Sequence, residues 1–190
     1  MDEKNKVICA LSGGVDSSVA LARLRAQGAD VTAFYLKIWL EEELAFLGTC
    51  PWEEDLRYAR EVCRQLGVTL HVVPLQAEYR AAVVDYTLRE LRAGRTPSPD
   101  VLCNRAIKFG AFVQRYGSSF ASIATGHHAR VRGEGDAREL LRGVDPVKDQ
   151  SYFLAYLERR QLAKAAFPIG TLTKREVRAE AARLGLANCD

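Results

Sequence analysis

The 190-residue sequence contains no Gly-x-x-x-x-Gly-Lys-Ser/Thr segment, so the common lysine-bearing phosphate loop is excluded. It also has no Cys-x-x-Cys, and its five cysteines, Cys9, Cys50, Cys63, Cys103 and Cys189, are odd in number. These absences argue against a disulfide framework and against a closed zinc site built from short-spaced pairs. They predict reduced thiols. No apolar run reaches the ~18 residues that span a bilayer. The start, MDEKNKVICAL, is charged and then strand-like, without the apolar region of a secretion signal. A cytoplasmic protein with no membrane partner is expected, with the plastid stroma as the alternative compartment. A strong charge of one sign is missing too. The formal net charge of +3 is too mild to imply nucleic-acid binding by itself, although arginine, the better fork for phosphates, heavily outnumbers lysine.

What is present is an alternation of strand-like and helix-like segments. Residues 7–11 form a short apolar run, and a helix is predicted from Asp16 to Gln27, ended by Gly28. VTAFYLKI reads as a second strand. Residues 41–55, with six acids and no Lys or Arg, read as an excursion that turns at Cys50-Pro51. EEDLRYAREVCRQLG is an amphipathic helix with Leu56, Ala59, Cys63 and Leu66 on one face. VTLHVVPL is a third strand and residues 77–93 another helix. AGRTPSPDVLCN is read as a loop because of Gly94, Pro97 and Pro99. RAIKFGAFVQRYG then reads as helix, FASIATG as strand and ARVRGEGDARELLRGV as a hairpin. DQSYFLAYL and ERRQLAKAAF read as short helices, and TKREVRAEAARLG opens with a capping box from Thr173 to Glu176. The pattern implies an α/β, Rossmann-like parallel sheet with helices on both faces, plus a small hairpin and a C-terminal helical extension. Residues 1–145 are expected to form the sheet domain and 146–190 a helical extension. In such sheets ligands bind beyond the carboxyl ends of the strands, where SGG, KIW and TGHH fall.

The segment ALSGGVDSSVALARL (residues 10–24) joins the first strand to the first helix. Ser12, Gly13 and Gly14 let backbone N–H groups point into a concavity. The helix N-terminus and the hydroxyls of Ser17 and Ser18 add donors, so an anion can be held without a lysine. Asp16 is a negative charge beside that anion. A bridging Mg²⁺ would account for it, and so would a favourable place for an acid at a helix N-terminus. A loop that grips β- and γ-phosphates together suits attack at the α-phosphate with pyrophosphate leaving.

SGGVDSS resembles the pyrophosphate loop of the N-type ATP pyrophosphatases. Three further stretches, AGRTPSPDVLCNRAIKFGAF, IATGHHAR and LLRGVDPVKDQSYFL, resemble the tRNA-specific 2-thiouridylases within that group. The resemblance runs from Val7 to about Gly185 and implies ATP-dependent 2-thiolation of a tRNA wobble uridine. It places Ala10, Leu11, Ser12, Gly13, Gly14, Val15, Asp16 and Ser17 along the ATP phosphates, with Mg²⁺ near Asp16, Leu36 against the adenine, and Gly126 where the nucleotide nears the backbone. It assigns Ser98, Pro99 and Asp100 to the pocket for the flipped uridine, Lys148, Asp149 and Gln150 to tRNA contact, and Cys103 to catalysis.

The chain departs from the family pattern at Ser98, where asparagine is usual, and at His128, where tyrosine is frequent. The stretch IWLEEELAFLGTCPWEEDL is similar to cyanobacterial and plastid members. Thiolation needs adenylated O2 as leaving group and a persulfide as sulfur source, hence two thiols and a persulfide donor protein as partner. Cys103 fits one of them: with Asp100 as N-cap, a helix N-terminus and Arg105 and Lys108 nearby would favour its thiolate. The family's second cysteine lies in a Gly-Ile-Cys-Phe context, and this chain ends at LGLANCD. A fragment that binds ATP without completing sulfur transfer is therefore expected. Alternatives are another AMP-forming ligase or tRNA-modifying enzyme of the superfamily, and a non-catalytic nucleotide- or RNA-binding module. An iron–sulfur cluster using Cys103, Asp100 and another cysteine is a further alternative. His127 and His128 are candidates for phosphate or metal, though a strand-end hydrogen bonder and an exposed residue describe them equally. Trp39, Trp52 and Tyr35 are candidates for base stacking or core packing, with Cys50 and Cys63 structural. The sequence does not set an oligomeric state.

Overall fold

A computed structural model describes residues 6–38 and 51–189. Strand β1 (Lys6–Ala10) feeds helix α1 (Val15–Ala26), and β2 (Asp30–Lys37) follows. Gly28 closes the turn between them at φ +76°, a conformation that glycine adopts without strain. Helix α2 (Pro51–Leu66) leads to β3 (Leu70–Pro74). Helix α3 runs through Gln76–Tyr79, a π-helical stretch Arg80–Val84 and Asp85–Arg92. Helix α4 is built likewise, from Pro99–Leu102, a π-helical stretch Cys103–Ala111 and Phe112–Tyr116. Then come β4 (Ser122–Thr125), β5 (Ala129–Arg132), β6 (Glu139–Arg142), a 3₁₀ turn at Ser151–Leu154, the short helix α5 (Arg159–Leu162), β7 (Ala165–Ala166) and α6 (Lys174–Arg183).

Five strands form one parallel sheet in the order β3-β2-β1-β4-β7, while β5 and β6 pair as an antiparallel hairpin. Because both faces of β1 are covered, its residues read as a continuous apolar run rather than an alternation. Val7 and Cys9 pack with α1, α2 and α6, whereas Ile8 packs with α3 and α4. Helix α1 lies between the sheet and α6 and buries Val19, Ala20, Leu21 and Leu24. Residues on both sides of 145 share this core: Ile169, Val177, Ala181 and Leu186 belong to the same cluster as Val7 and Leu21. No helix among the described residues is long and apolar enough to cross a membrane.

Three sequence expectations are corrected. Part of the proline-containing loop is helical: Pro99 opens α4, where its fixed φ and missing N–H suit the first turn. ERRQLAKAAF does not remain helical. The chain leaves α5 at Leu162 and adds β7 to the open edge of β4, where Ile123 N–H donates to Lys164 O at 2.8 Å, so tertiary pairing overrides the helix preference of alanine. Asp100 is not the N-cap of α4; that place belongs to Ser98, and Cys103 follows one turn later at the start of the π-helical stretch. The excursion at 41–49, Trp39 and Cys50 lie outside the described residues.

Candidate active site

The strand order reverses between β1 and β4. A cavity of about 480 Å³ opens at their carboxyl ends, the position where open parallel sheets leave a crevice. Its floor is the turn from Ala10 to Ser17. Gly13 takes φ +86° and presses against the backbone of Asp55 at the start of α2, so a side chain there would collide with main chain. Ser17 Oγ donates to Gly14 O at 2.9 Å and accepts from Ser12 N–H at 3.2 Å, which knits the turn to the first turn of α1. Ser18 is fully buried, donates to Gly14 O and accepts from Asn188; it braces the loop from behind and does not line the cavity. Gly126, just after β4, packs on α1: a Cβ there would meet Ser17 N at 2.6 Å.

Asp16 is the electrostatic centre. Lys174 Nζ donates to its Oδ1 at 2.5 Å, Lys148 Nζ stands 3.5 Å from Oδ2, and His128 Nε2 is 3.6 Å from Oδ1. Burial works against ionising this carboxyl. The adjoining His128 and Lys174 and the charge of Lys148 outweigh burial and hold it well below the usual carboxylate range. At 3.6 Å the imidazole is a neighbour of the carboxylate rather than a hydrogen-bonded partner. The acid on this loop thus carries its own counter-charges within the chain, besides its place at the α1 N-terminus.

Both lysines are set by Asp145. Its Oδ1 accepts from Val147 and Lys148 N–H at 2.8 Å each, and its Oδ2 accepts from Lys174 N–H at 2.6 Å. The hydrogen bonds from Lys148, Lys174 and Val147 draw its carboxyl down to about 2. Gln150 Oε1 accepts from His128 N–H at 2.9 Å, fastening the same segment to the end of β4.

Cys103 and Lys108 enter the cavity wall from the π-helical stretch of α4. Such wide turns recur at functional sites. Here the turn is braced by Gln161, whose Nε2 donates to Arg105 O and Phe109 O at 2.9 Å each. Burial pushes the Cys103 thiol up; Lys108 pulls it down and Asp100 pushes it further up. The expectation that helix and cations favour the thiolate is corrected: desolvation wins in this arrangement. His127 and His128 are both buried, against the reading of one as exposed. His127 Nδ1 bonds Thr125 Oγ1 at 2.8 Å. Burial, then the charges of Lys108 and His128, push the imidazole down to about 3, so it is neutral.

A family profile described as tRNA methyl transferase HUP domain matches residues 5–190. The chain belongs to that family. The tRNA-specific 2-thiouridylase MnmA of Akkermansia muciniphila is 47% identical over 182 residues, which cover 95% of this chain and 51% of the relative. That of Pseudomonas putida strain GB-1 is 48% identical over 188 residues, covering 97% and 49%. The chain spans about half the length of the curated relatives it matches. Among solved structures, the U34-tRNA thiolase NcsA from Methanococcus maripaludis gives a TM-score of 0.55 at 17% identity, over 98% of this chain and 59% of that one. The NMN synthetase from Francisella tularensis gives 0.52 at 19%, over 98% and 65%. At those identities the likeness shows the adenine-nucleotide-hydrolase-like fold alone.

For this member of the HUP-domain family, Ala10, Leu11, Ser12, Gly14, Val15, Asp16, Ser17, Leu36 and Gly126 all line the cavity, while Gly13 turns its carbonyl to Asn188. Ser98, Pro99 and Asp100 lie one turn before Cys103, with Ser98 and Asp100 exposed. The three residues predicted for tRNA contact divide. Lys148 faces Asp16, Gln150 lines the cavity, and Asp149 pairs with Arg142 at 2.8 Å. Tyr35 is buried and donates to Trp52 O at 3.3 Å; Cys63 is buried. Among the described residues no three His, Cys, Asp or Glu side chains are grouped to hold a metal. Sequence reasoning missed Lys174, Asp55 and Asp145. A signal for Lys174 existed: a cation at the first position of a helix opposes the helix dipole, a local misfit that asks for a reason.

Proposed function

We propose that this chain is the ATP-binding, AMP-forming part of a tRNA 2-thiouridylase. The observation that carries the reading is that Cys103 and the phosphate loop share one cavity. AMP transfer from ATP needs the loop, and sulfur delivery needs the thiol. An amide-forming or methyl-transferring enzyme would have no use for the thiol. Ser12, Gly14 and the α1 N-terminus would hold the triphosphate, with adenine toward Leu36 and the target uridine entering past Ser98, Pro99 and Asp100. The uracil O2 attacks the α-phosphorus: the O2–P bond forms, the bond from phosphorus to the bridging oxygen breaks, and pyrophosphate leaves. A sulfur nucleophile then adds to C2, the C2–O bond breaks, and AMP departs with the original oxygen. The sulfur comes as a persulfide from a donor protein. A second thiol attacks the inner sulfur of that persulfide: the S–S bond breaks, a disulfide forms between the two thiols, and the outer sulfur leaves as hydrosulfide, or as the thiocarbonyl sulfur where it is already bonded to C2.

Magnesium, when bound with the triphosphate, supplies charge neutralisation at the leaving pyrophosphate. Asp16, the loop's one carboxylate, fits the preference of this ion for one or two carboxylates beside phosphates. Cys103 serves either as resolving thiol or as sulfur carrier, and its buried thiol must lose its proton when substrate fills the cavity.

The test is product analysis. With α-labelled ATP, Mg²⁺ and unmodified tRNA, AMP and pyrophosphate should form in a manner that depends on tRNA and on Asp16, and Asp16→Ala should abolish both. ADP as product would overturn the reading.

A further inference from the structure

Two of the seven lysines in the sequence converge on Asp16, one from the segment after β6 and one from the first residue of α6. Two ammonium groups share the single carboxylate of Asp16, and Lys174 reaches it from the wall of a cavity that already faces the positive end of α1. Beside them His128 is fully buried, and neither ring nitrogen has a hydrogen-bond partner among the described residues. Each ammonium has three donors and shares one carboxylate, so donor capacity is left for an anion that enters the cavity. We propose that Lys174 and Lys148 receive the β- and γ-phosphates of the nucleoside triphosphate, replacing the lysine that the loop lacks. Asp16 parks them in the free protein and releases them to the incoming phosphates. Its carboxylate is then free to face the divalent ion that accompanies those phosphates.

Asp145 is the positioning residue. One carboxylate holds the backbone N–H of both lysines, so it sets the spacing between the two cations. The proposal rests on reading the cavity as an ATP site, and adds which groups meet the polyphosphate.

Binding of ATP, inorganic pyrophosphate and adenosine to the full chain, measured by calorimetry with and without Mg²⁺, tests it. Charge-assisted hydrogen bonds of this kind translate to roughly ten- to a hundredfold in affinity. Lys174→Met and Lys148→Met should each weaken pyrophosphate by that factor and leave adenosine unchanged. Asp16→Asn should tighten pyrophosphate in the presence of EDTA, because the carboxylate no longer competes for the lysines. Asp145→Asn should weaken pyrophosphate, and this effect should vanish in the Lys148→Met, Lys174→Met background. Persistence there would mean that Asp145 only supports the fold and would remove its positioning role. Glu180→Gln, which breaks the 3.1 Å tie between α6 and Arg23 of α1 outside the cavity, controls for loosening of α6. If it weakens pyrophosphate as much as Lys174→Met does, the lysine assignment is overturned. The assignment also falls if wild type binds ATP and pyrophosphate while both lysine variants bind them equally well. Wild type that binds no ATP would instead overturn the reading of the cavity, and the lysine proposal with it.

Discussion

Cys103 and His127 both sit in the cavity wall, and burial decides the protonation state of each. For Cys103, loss of solvation outweighs the nearby Lys108, so the resting side chain is a thiol. Its alkylation by iodoacetamide at mildly alkaline pH should be slower than that of an unperturbed cysteine. Asp100→Asn should speed it and Lys108→Met should slow it, as read by mass spectrometry of the Cys103 peptide. His127 is pushed from 6.5 to about 3, so the folded chain keeps it neutral while the unfolded chain protonates it across that window. The unfolded state then binds the extra proton, and stability falls as pH drops below about 6.5, by up to ~1.4 kcal/mol per pH unit. His127→Gln should flatten the slope between pH 6.5 and 4 in urea-unfolding experiments. A slope unchanged by the substitution would contradict the neutral assignment.

At the scale of elements, α4 shows what periodicity conceals. Its helical pattern was legible from Arg105 onward, but nothing in the residue spacing distinguishes a π-helical stretch from an α-helix. The difference lies in where the carbonyls go. Arg105 O and Phe109 O find Gln161 Nε2, a donor 52 to 56 residues away that no local reading could supply. Gln161→Ala should therefore destabilise the protein by about 1–3 kcal/mol, since it removes the side-chain donor to two backbone carbonyls and half of the capping box on α5. Denaturation midpoints with an unchanged slope would check this. By contrast, the capping box of α6 was fully legible, because Thr173 and Glu176 satisfy each other within one turn. The phosphate loop was legible for the same reason: its glycines, serines and following helix are contiguous.

In the whole molecule, alternation in sequence revealed a parallel sheet with covered faces, yet not the strand order or the return of the chain after the hairpin. β7 is two residues long and alanine-rich, and only the open edge of β4 makes it a strand. Likewise the contact of Lys174 with Asp16 spans 158 positions, so motif reading picked out Lys148 but joined neither lysine to the loop. The expected boundary at 145 implies a self-sufficient first part. The shared core implies that a chain ended there exposes the α1 face that Ile169, Val177 and Ala181 cover. Such a truncation should lack a cooperative thermal transition by circular dichroism, where the full chain has one.

That placement of α6 has a consequence for biosynthesis. The sheet's central strand leaves the ribosome first, and the helix that seals its neighbour leaves near the end of these residues. At synthesis rates of about 5–20 residues per second, the apolar back of α1 stays uncovered for roughly ten seconds or more. In that interval a nascent chain exposes apolar surface open to aggregation, and the emergence of Val177 and Ala181 is what lets it close.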